Sequence, residues 1–162
     1  LINDILDISK LEAGKYKIKE ETFDIRTAIE DTVAAQVPIA TNKGLQLDCS
    51  FGSNIPKLVR GDGQRIQQVL NCLLSNAIKF TSEGSVRVKI ASMDDGDNKM
   101  KIRMAVADTG IGISEANMSK LFIRFSQVDA SDTRKYGGSG LGHLQSILLV
   151  CKVNLDDLCS LL

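Results

Sequence analysis

The chain has 162 residues, of which 43% are hydrophobic and 25% charged, and its 20 basic side chains are balanced by 20 acidic ones. This length and composition are typical of one globular domain with a sizeable core. The balanced charge, together with an aromatic content of 4% and no Trp, argues against a nucleic-acid partner or a charged membrane surface.

The cysteines and the hydropathy pattern indicate a reducing, aqueous compartment. The four cysteines contain no C-x-x-C pair, so we expect buried, reduced thiols: Cys49, Cys72, Cys151 and Cys159. The sequence shows no signal peptide and no apolar run long enough to cross a bilayer. Because the chain starts at Leu1 rather than Met, we expect it to be a fragment of a longer protein.

The first eleven residues predict a short helix with a broad apolar stripe, formed by Leu1, Ile5 and Ile8 with Ile2, Leu6 and Leu11 beside them. An isolated helix this short is marginal, so its stripe needs a partner. The pattern favours an interface with another chain over a helix that folds back onto its own domain.

Residues 23–63 predict alternating strands and helices. Asp24 follows a short strand and is expected to cap a helix with apolar spacing, which Pro38 should end or kink. A turn at residues 42–44 and a strand from Leu45 follow. Asp62 is expected to cap the next helix.

That next helix, at residues 65–81, is strongly amphipathic, with an apolar side of Ile66, Val69, Leu70, Leu73, Leu74, Ala77 and Ile78. On its polar side Asn76 and Lys79 stand three residues apart and share a face. A carboxamide oxygen can bind Mg²⁺ and a lysine can bind phosphate, so this face predicts the edge of a Mg-nucleotide site. Alone the pattern is weak, because polar helix faces usually meet water.

Two strands follow, at residues 86–90 and 99–108, joined by a polar connection at 94–98. Asp108 has the same parity as the inward apolar set of the second strand, so its carboxylate should face the core side and need a hydrogen-bond partner, such as an adenine amino group. Gly110 and Gly112 would let the backbone approach a flat ring. A simple Asp-Thr-Gly turn is the alternative.

Residues 113–140, the lid, show no strand pattern. The glycines at its end and just beyond it would present free backbone N–H groups to phosphate: Gly137, Gly138, Gly140 and Gly142. By itself this segment could equally be a glycine-rich surface loop.

Four motifs occur in one order: NAIKFT at 76–81, DTGIGI at 108–113, LFIRFS at 121–126 and YGGSGLG at 136–142. Together they resemble the N box, first glycine box, F box and second glycine box of the ATP-binding domain of sensor histidine kinases. The resemblance covers residues 1–142, and the ordered set carries it rather than any one motif.

The resemblance implies an α+β fold of the Bergerat type, with helices on one face of a mixed sheet in two layers. Residues 1–14 would be the end of the dimerisation helix and its hinge, residues 15–150 the ATP-binding domain with its lid, and residues 151–162 an atypical tail. The expected closing strand has no match after residue 142, so the sheet is predicted to lack its last strand.

The same resemblance implies ATP and Mg as ligands. Asn76 would hold Mg, Lys79 would contact phosphate and Asp108 would bind the adenine amine. The further ATP-binding residues would be Gly110, Gly112, Lys135, Gly138, Gly140, Leu141 and Gly142.

Besides the missing closing strand, two further features depart from the family pattern. The phosphoacceptor histidine is absent, since the one histidine, His143, follows the last glycine of the lid. Cys72 occupies a position where the family commonly has Asn. Asn71 does not replace it, because one residue is about 100° around a helix.

The resemblance implies the ATP-binding portion of a histidine protein kinase in two-component phosphorelay signalling, incompetent alone for autophosphorylation. Its partners would be a second copy through residues 1–11 and a response-regulator receiver domain, in the cytoplasm or on the cytoplasmic side of a membrane-anchored parent. A non-catalytic nucleotide-binding or dimer-scaffold module is the alternative, favoured by Cys72, the missing acceptor and the irregular C-terminus.

Overall fold

The structure is a computed structural model that describes residues 19–94, 100–113 and 159–160. In chain order the elements are β1 (Glu21–Asp24), α1 (Ile25–Asn42), β2 (Gln46–Phe51), β3 (Leu58–Gly61), α2 (Gly63–Phe80), β4 (Ser85–Asp94), β5 (Met100–Asp108) and β6 (Cys159–Ser160). The α+β class and the mixed sheet predicted from the sequence are confirmed.

The helix α1 starts where the sequence predicts and ends later. The Asp24 side chain accepts a hydrogen bond from the Thr27 N–H at 3.1 Å, which satisfies one of the unpaired donors of the first turn. The prediction that Pro38 could end the helix is wrong, because α1 continues to Asn42. Pro38 removes one backbone donor, but Ala40 beyond it is only 1% exposed, so packing of the last turn outweighs that loss.

The helix α2 confirms the predicted cap and apolar face. Asp62, which is buried, accepts from the Arg65 N–H at 3.1 Å and from the Lys19 N–H at 3.2 Å. Six of the seven predicted apolar residues are buried and Leu73 is half-buried. Full burial of each large aliphatic side chain contributes roughly 1.5–3 kcal/mol, so this face anchors α2 in the core.

In the described part of the chain the strands form two three-stranded sheets instead of one. In the larger sheet β4 lies between β2, which is parallel to it, and β5, which is antiparallel. The smaller sheet has the order β1-β3-β6 and is antiparallel. Because β1 and β3 lead directly into α1 and α2, pairing them holds the capped starts of both helices together.

The C-terminal tail contributes the third strand of the smaller sheet, although the sequence predicts no strand there. The two residues of β6 pair with Arg60 and Gly61 of β3. The sequence pattern could not reveal a two-residue pairing, since neither alternation nor length marks it.

One hydrophobic core joins the helices to both sheets. Its side chains that are at most 1% exposed include five from β4, α2 and β3: Val86, Val88, Leu70, Leu74 and Val59. Directly opposite residues of paired strands share a face, so the partner of Val86 on β5 lies on the face that packs against the helices. That partner is Asp108.

Several predictions fall outside the described residues: the helix at residues 1–11 and its hinge, residues 95–98 of the predicted connection, and the lid beyond Ile113. The proposed domain boundaries therefore stay predictions. Among the described helices none combines the length and apolarity needed to span a bilayer.

Candidate nucleotide site at the end of α2

The site is centred on the C-terminal end of α2, where the last carbonyl groups of a helix lack partners within the helix. Thr81 satisfies the first of them, since its N–H and its hydroxyl both donate to the Ala77 carbonyl, at 3.1 and 2.7 Å. The last carbonyl, that of Phe80, accepts from the Ile111 N–H at 3.3 Å. This bond joins α2 directly to the segment that follows β5.

Gly110 makes this close approach possible. A Cβ at position 110 would lie 2.5 Å from the Phe80 carbonyl oxygen and 2.8 Å from Asp108 Oδ1. Both distances are shorter than real Cβ contacts, and the nearest atom belongs to the backbone, which cannot swing aside. The first glycine of the DTGIGI motif is therefore required by packing against α2.

Asp108 lies at the end of β5, opposite Val86, as its parity predicts. Its carboxylate is exposed, and Oδ1 accepts a hydrogen bond from the Gly110 N–H at 2.9 Å. One hydrogen-bond partner of the Asp108 carboxylate is therefore the nearby Gly110 backbone N–H. This bond fixes the orientation of the carboxylate relative to the glycine segment.

Thr109 attaches the same segment to the start of β4, a contact that the sequence analysis missed. Its N–H donates to the Ser85 carbonyl at 3.1 Å, and its hydroxyl accepts from the Ser85 N–H at 3.1 Å. Gly84, with φ of +108°, leaves room for this hydroxyl, which a Cβ would overlap. The sequence features that could have indicated this contact are the glycine at position 84 and the threonine of the DTGIGI motif.

Asn76 and Lys79 project from the last two turns of α2 and are half-buried. Asn76 Nδ2 lies 3.9 Å from Cys72 Sγ, and Lys79 Nζ lies 5.0 Å from the centre of the Phe80 ring. Because the Ile111 N–H bonds to the Phe80 carbonyl, the NAIKFT and DTGIGI motifs meet at the C-terminal end of α2.

Comparison with known proteins agrees with this geometry. The family described as "Histidine kinase-, DNA gyrase B-, and HSP90-like ATPase" matches residues 61–153, more than half of the chain. The chain belongs to this ATPase family.

Curated relatives of this ATPase chain are histidine kinases. The signal transduction histidine-protein kinase BarA of Escherichia coli K12 is 41% identical over 156 residues, which is 96% of this chain and 17% of BarA. The peroxide stress-activated histidine kinase mak2 of Schizosaccharomyces pombe is 37% identical over 163 residues, 98% of this chain and 7% of mak2. The chain thus spans less than a fifth of the length of either relative.

Solved structures show the same fold. Full-length ShkA in complex with AMPPNP superimposes with a TM-score of 0.76 at 26% identity, over 94% of this chain and 30% of ShkA. The Acinetobacter baumannii histidine kinase AdeS gives a TM-score of 0.64 at 22% identity, over 94% of this chain and 66% of that one, and supports the fold alone.

In this chain the side chain at position 71 has a structural partner. Asn71 Oδ1 accepts a hydrogen bond from Gln36 Nε2 of α1 at 2.7 Å. Gln36 is buried, so the pair is part of the interface between the two helices. Asn71 is committed to α1, which agrees with the prediction that it does not replace the residue at position 72.

The donors present fit a magnesium ion that arrives with its nucleotide. The described residues contain no group of three His, Cys, Asp or Glu side chains that could hold a metal ion. Mg²⁺ commonly keeps several waters and binds one or two protein oxygens together with substrate phosphates. A single carboxamide, that of Asn76, beside the Lys79 ammonium is compatible with such a site.

Neither Cys49 nor Cys72 forms a disulfide, and both are half-buried, so the expected reduced thiols are present but less buried than predicted. Burial raises the pKa of the Cys49 thiol, and the nearby Glu30 carboxylate raises it further, whereas Arg26 lowers it. Cys49 therefore stays protonated and weakly nucleophilic near neutral pH. It plays no part in the site.

The rest of the predicted site is only partly described. Gly112 adopts a left-handed φ of +67° with open space where a Cβ would be, and its neighbours Ile111 and Ile113 are 63% and 52% exposed. The predicted lid residues lie outside the described part of the chain: Lys135, Gly138, Gly140, Leu141 and Gly142.

Proposed function

We propose that this chain is the ATP-binding, catalytic portion of a sensor histidine kinase and that it binds Mg-ATP at the end of α2. The observation that carries the proposal is the bond between the Ile111 N–H and the Phe80 carbonyl, 3.3 Å long, with Gly110 packed against the same carbonyl. It brings the polar face of α2 and the Asp108 segment together.

Each polar group would have a separate part of the nucleotide to bind. The Asp108 carboxylate, held through Gly110, would accept a hydrogen bond from the adenine amine, and Gly110 and Gly112 would leave room for the ring. Asn76 would bind Mg²⁺ through its carboxamide oxygen, and the Lys79 ammonium would neutralise phosphate. The metal would supply charge stabilisation at the phosphates.

The lid residues complete this proposal. Backbone N–H groups near Gly138, Gly140, Leu141 and Gly142 would bind phosphate oxygens, and Lys135 would add positive charge. These assignments are supported by the resemblance of the YGGSGLG motif alone.

The reaction of the parent protein would move the γ-phosphoryl group of ATP to a histidine and then to an aspartate of a receiver domain. Catalysis of this kind depends on positioning and electrostatics. The one histidine of this sequence, His143, adjoins the proposed phosphate-binding glycines, so the chain would supply ATP to an acceptor elsewhere. A cytoplasmic homodimer formed through residues 1–11 would bring that acceptor close.

The alternative is a nucleotide-binding or scaffold module without catalysis. Cys72 favours it, because its thiol occupies the position one turn before Asn76 and contacts the Asn76 amide at 3.9 Å. A thiol is a weak acceptor and cannot hold water as a carboxamide does. Transfer of phosphate from ATP to a separately supplied acceptor helix distinguishes the two functions.

The proposal is tested by isothermal titration calorimetry of the chain with ATP, in Mg²⁺ and in excess chelator. We expect saturable binding to one site that weakens at least about ten-fold without the metal, since Mg²⁺ joins the phosphates to Asn76. Absence of binding in a sample whose circular dichroism shows a folded α+β protein would contradict the proposal.

A further inference from the structure

Lys43, at the end of α1, contacts the site from outside it. Its Nζ atom lies 2.6 Å from the Ile78 carbonyl oxygen and 2.8 Å from the Lys79 carbonyl oxygen. Thr81 and Ile111 bind the other two carbonyls of the last turn of α2, those of Ala77 and Phe80. With Lys43, each of the last four carbonyls of α2 has a donor.

The backbone at Lys43 is itself fixed. Its N–H donates to the carbonyls of Ile39 and Ala40, and the following Gly44 turns with φ of +75° into β2. The position from which the side chain starts is therefore fixed, and only its own torsions remain to be ordered. A cation at the carbonyl end of a helix also interacts favourably with the helix dipole.

We propose that Lys43 is a positioning residue of the nucleotide site: it holds the last turn of α2 helical, so that Lys79 and Asn76 stay on one face. This inference rests on the proposed function for its effect on ATP. Lys79 is one of the two residues whose carbonyls Lys43 binds. Asn76 lies about one helical turn before Lys79 in α2. Loss of the ammonium would let this turn fray.

The adenine end of the site should depend on Lys43 less than the phosphate end does. Asp108 is paired with Val86 in the sheet, and Thr109 is bonded to Ser85. Both attachments are to β4, so they would hold Asp108 even if the bond from the Ile111 N–H to the Phe80 carbonyl of α2 weakened. The effect of Lys43 should therefore fall on the metal and phosphate end, which separates positioning from a general loss of stability.

The test compares Lys43→Met with Lys89→Met, which removes an exposed lysine from β4. For Lys43→Met we expect Mg-ATP binding to weaken roughly ten-fold, the lower end of the range for loss of a group that supports a metal ligand. Adenosine binding, measured by ligand-detected NMR, should change less than about three-fold. Lys89→Met should leave both affinities unchanged.

Lys43→Arg provides the rescue, because guanidinium also donates to carbonyls, and it should keep Mg-ATP affinity within about three-fold of the unsubstituted chain. Equal losses for Mg-ATP and adenosine, no loss in Lys43→Met, or no rescue by Arg would overturn the inference.

Amide hydrogen exchange in the nucleotide-free chain separates this inference from the proposed function. The Thr81 N–H, bonded to Ala77 across the last turn, should exchange faster in Lys43→Met than in Lys89→Met. Unchanged exchange would overturn the role of Lys43 even if the chain binds ATP. Faster exchange in a chain that binds no ATP would contradict the proposed function alone.

Discussion

Asp108→Asn is expected to weaken ATP binding by roughly 100-fold, about 2.7 kcal/mol, because it leaves a buried donor of the complex unpaired. The carboxylate has two acceptor oxygens, and Oδ1 already accepts from the Gly110 N–H at 2.9 Å. The other oxygen would accept from the adenine amine. Asparagine has one oxygen and one NH₂ group, so if its oxygen serves Gly110, its NH₂ meets the adenine donor.

The control for this substitution is Asp31→Asn, which makes the same change of charge on the exposed side of α1. Calorimetry of both variants with Mg-ATP should show normal affinity for Asp31→Asn. An affinity for Asp108→Asn within about three-fold of the unsubstituted chain would show that the carboxylate does not bind the base.

Gly110→Ala is expected to have the second large effect. The added Cβ would lie 2.5 Å from the Phe80 carbonyl oxygen, so the segment must move away from α2 and lose the Ile111 bond. We expect Mg-ATP affinity to fall at least about ten-fold, and the free energy of unfolding to fall by about 1–3 kcal/mol, as for other overpacked positions. Calorimetry and urea denaturation measure the two effects.

Gly52→Ala is the matched control for this glycine. A Cβ at position 52 would lie 3.4 Å from the Ile90 carbonyl oxygen, an ordinary contact, and Gly52 lies far along the chain from both motifs. Both affinity and stability should remain close to those of the unsubstituted chain. If Gly110→Ala behaves like Gly52→Ala, the contact between α2 and the Asp108 segment is not what forms the site.

The elements that could be predicted from the sequence are those encoded by local patterns. The apolar periodicity of α2 and the caps Asp24 and Asp62 depend on residues three or four apart, and all are present in the structure. The parity of Asp108 in β5 is equally local. The order of the motifs along the chain predicts that both segments belong to one kind of site.

The features that the sequence did not reveal are long-range pairings. Lys43 binds carbonyls 35 and 36 residues away in the sequence. Thr109, just after β5, bonds to Ser85 at the start of β4, 24 residues earlier. The separation of β1 and β3 into a second sheet depends on pairing across a whole helix and strand. Pro38 does not end α1, because burial of Ala40, a tertiary effect, outweighs a local preference.

The most direct measurement of the central claim is an amide-resolved NMR titration of the isotope-labelled chain with Mg-ATP. Binding at the end of α2 predicts the largest shift changes at residues 76–81 and 108–113, with little change in β1 and β3. Saturable changes centred on β1 and β3, or none at residues 76–81 and 108–113 in a folded sample, would contradict a nucleotide site built by these two segments.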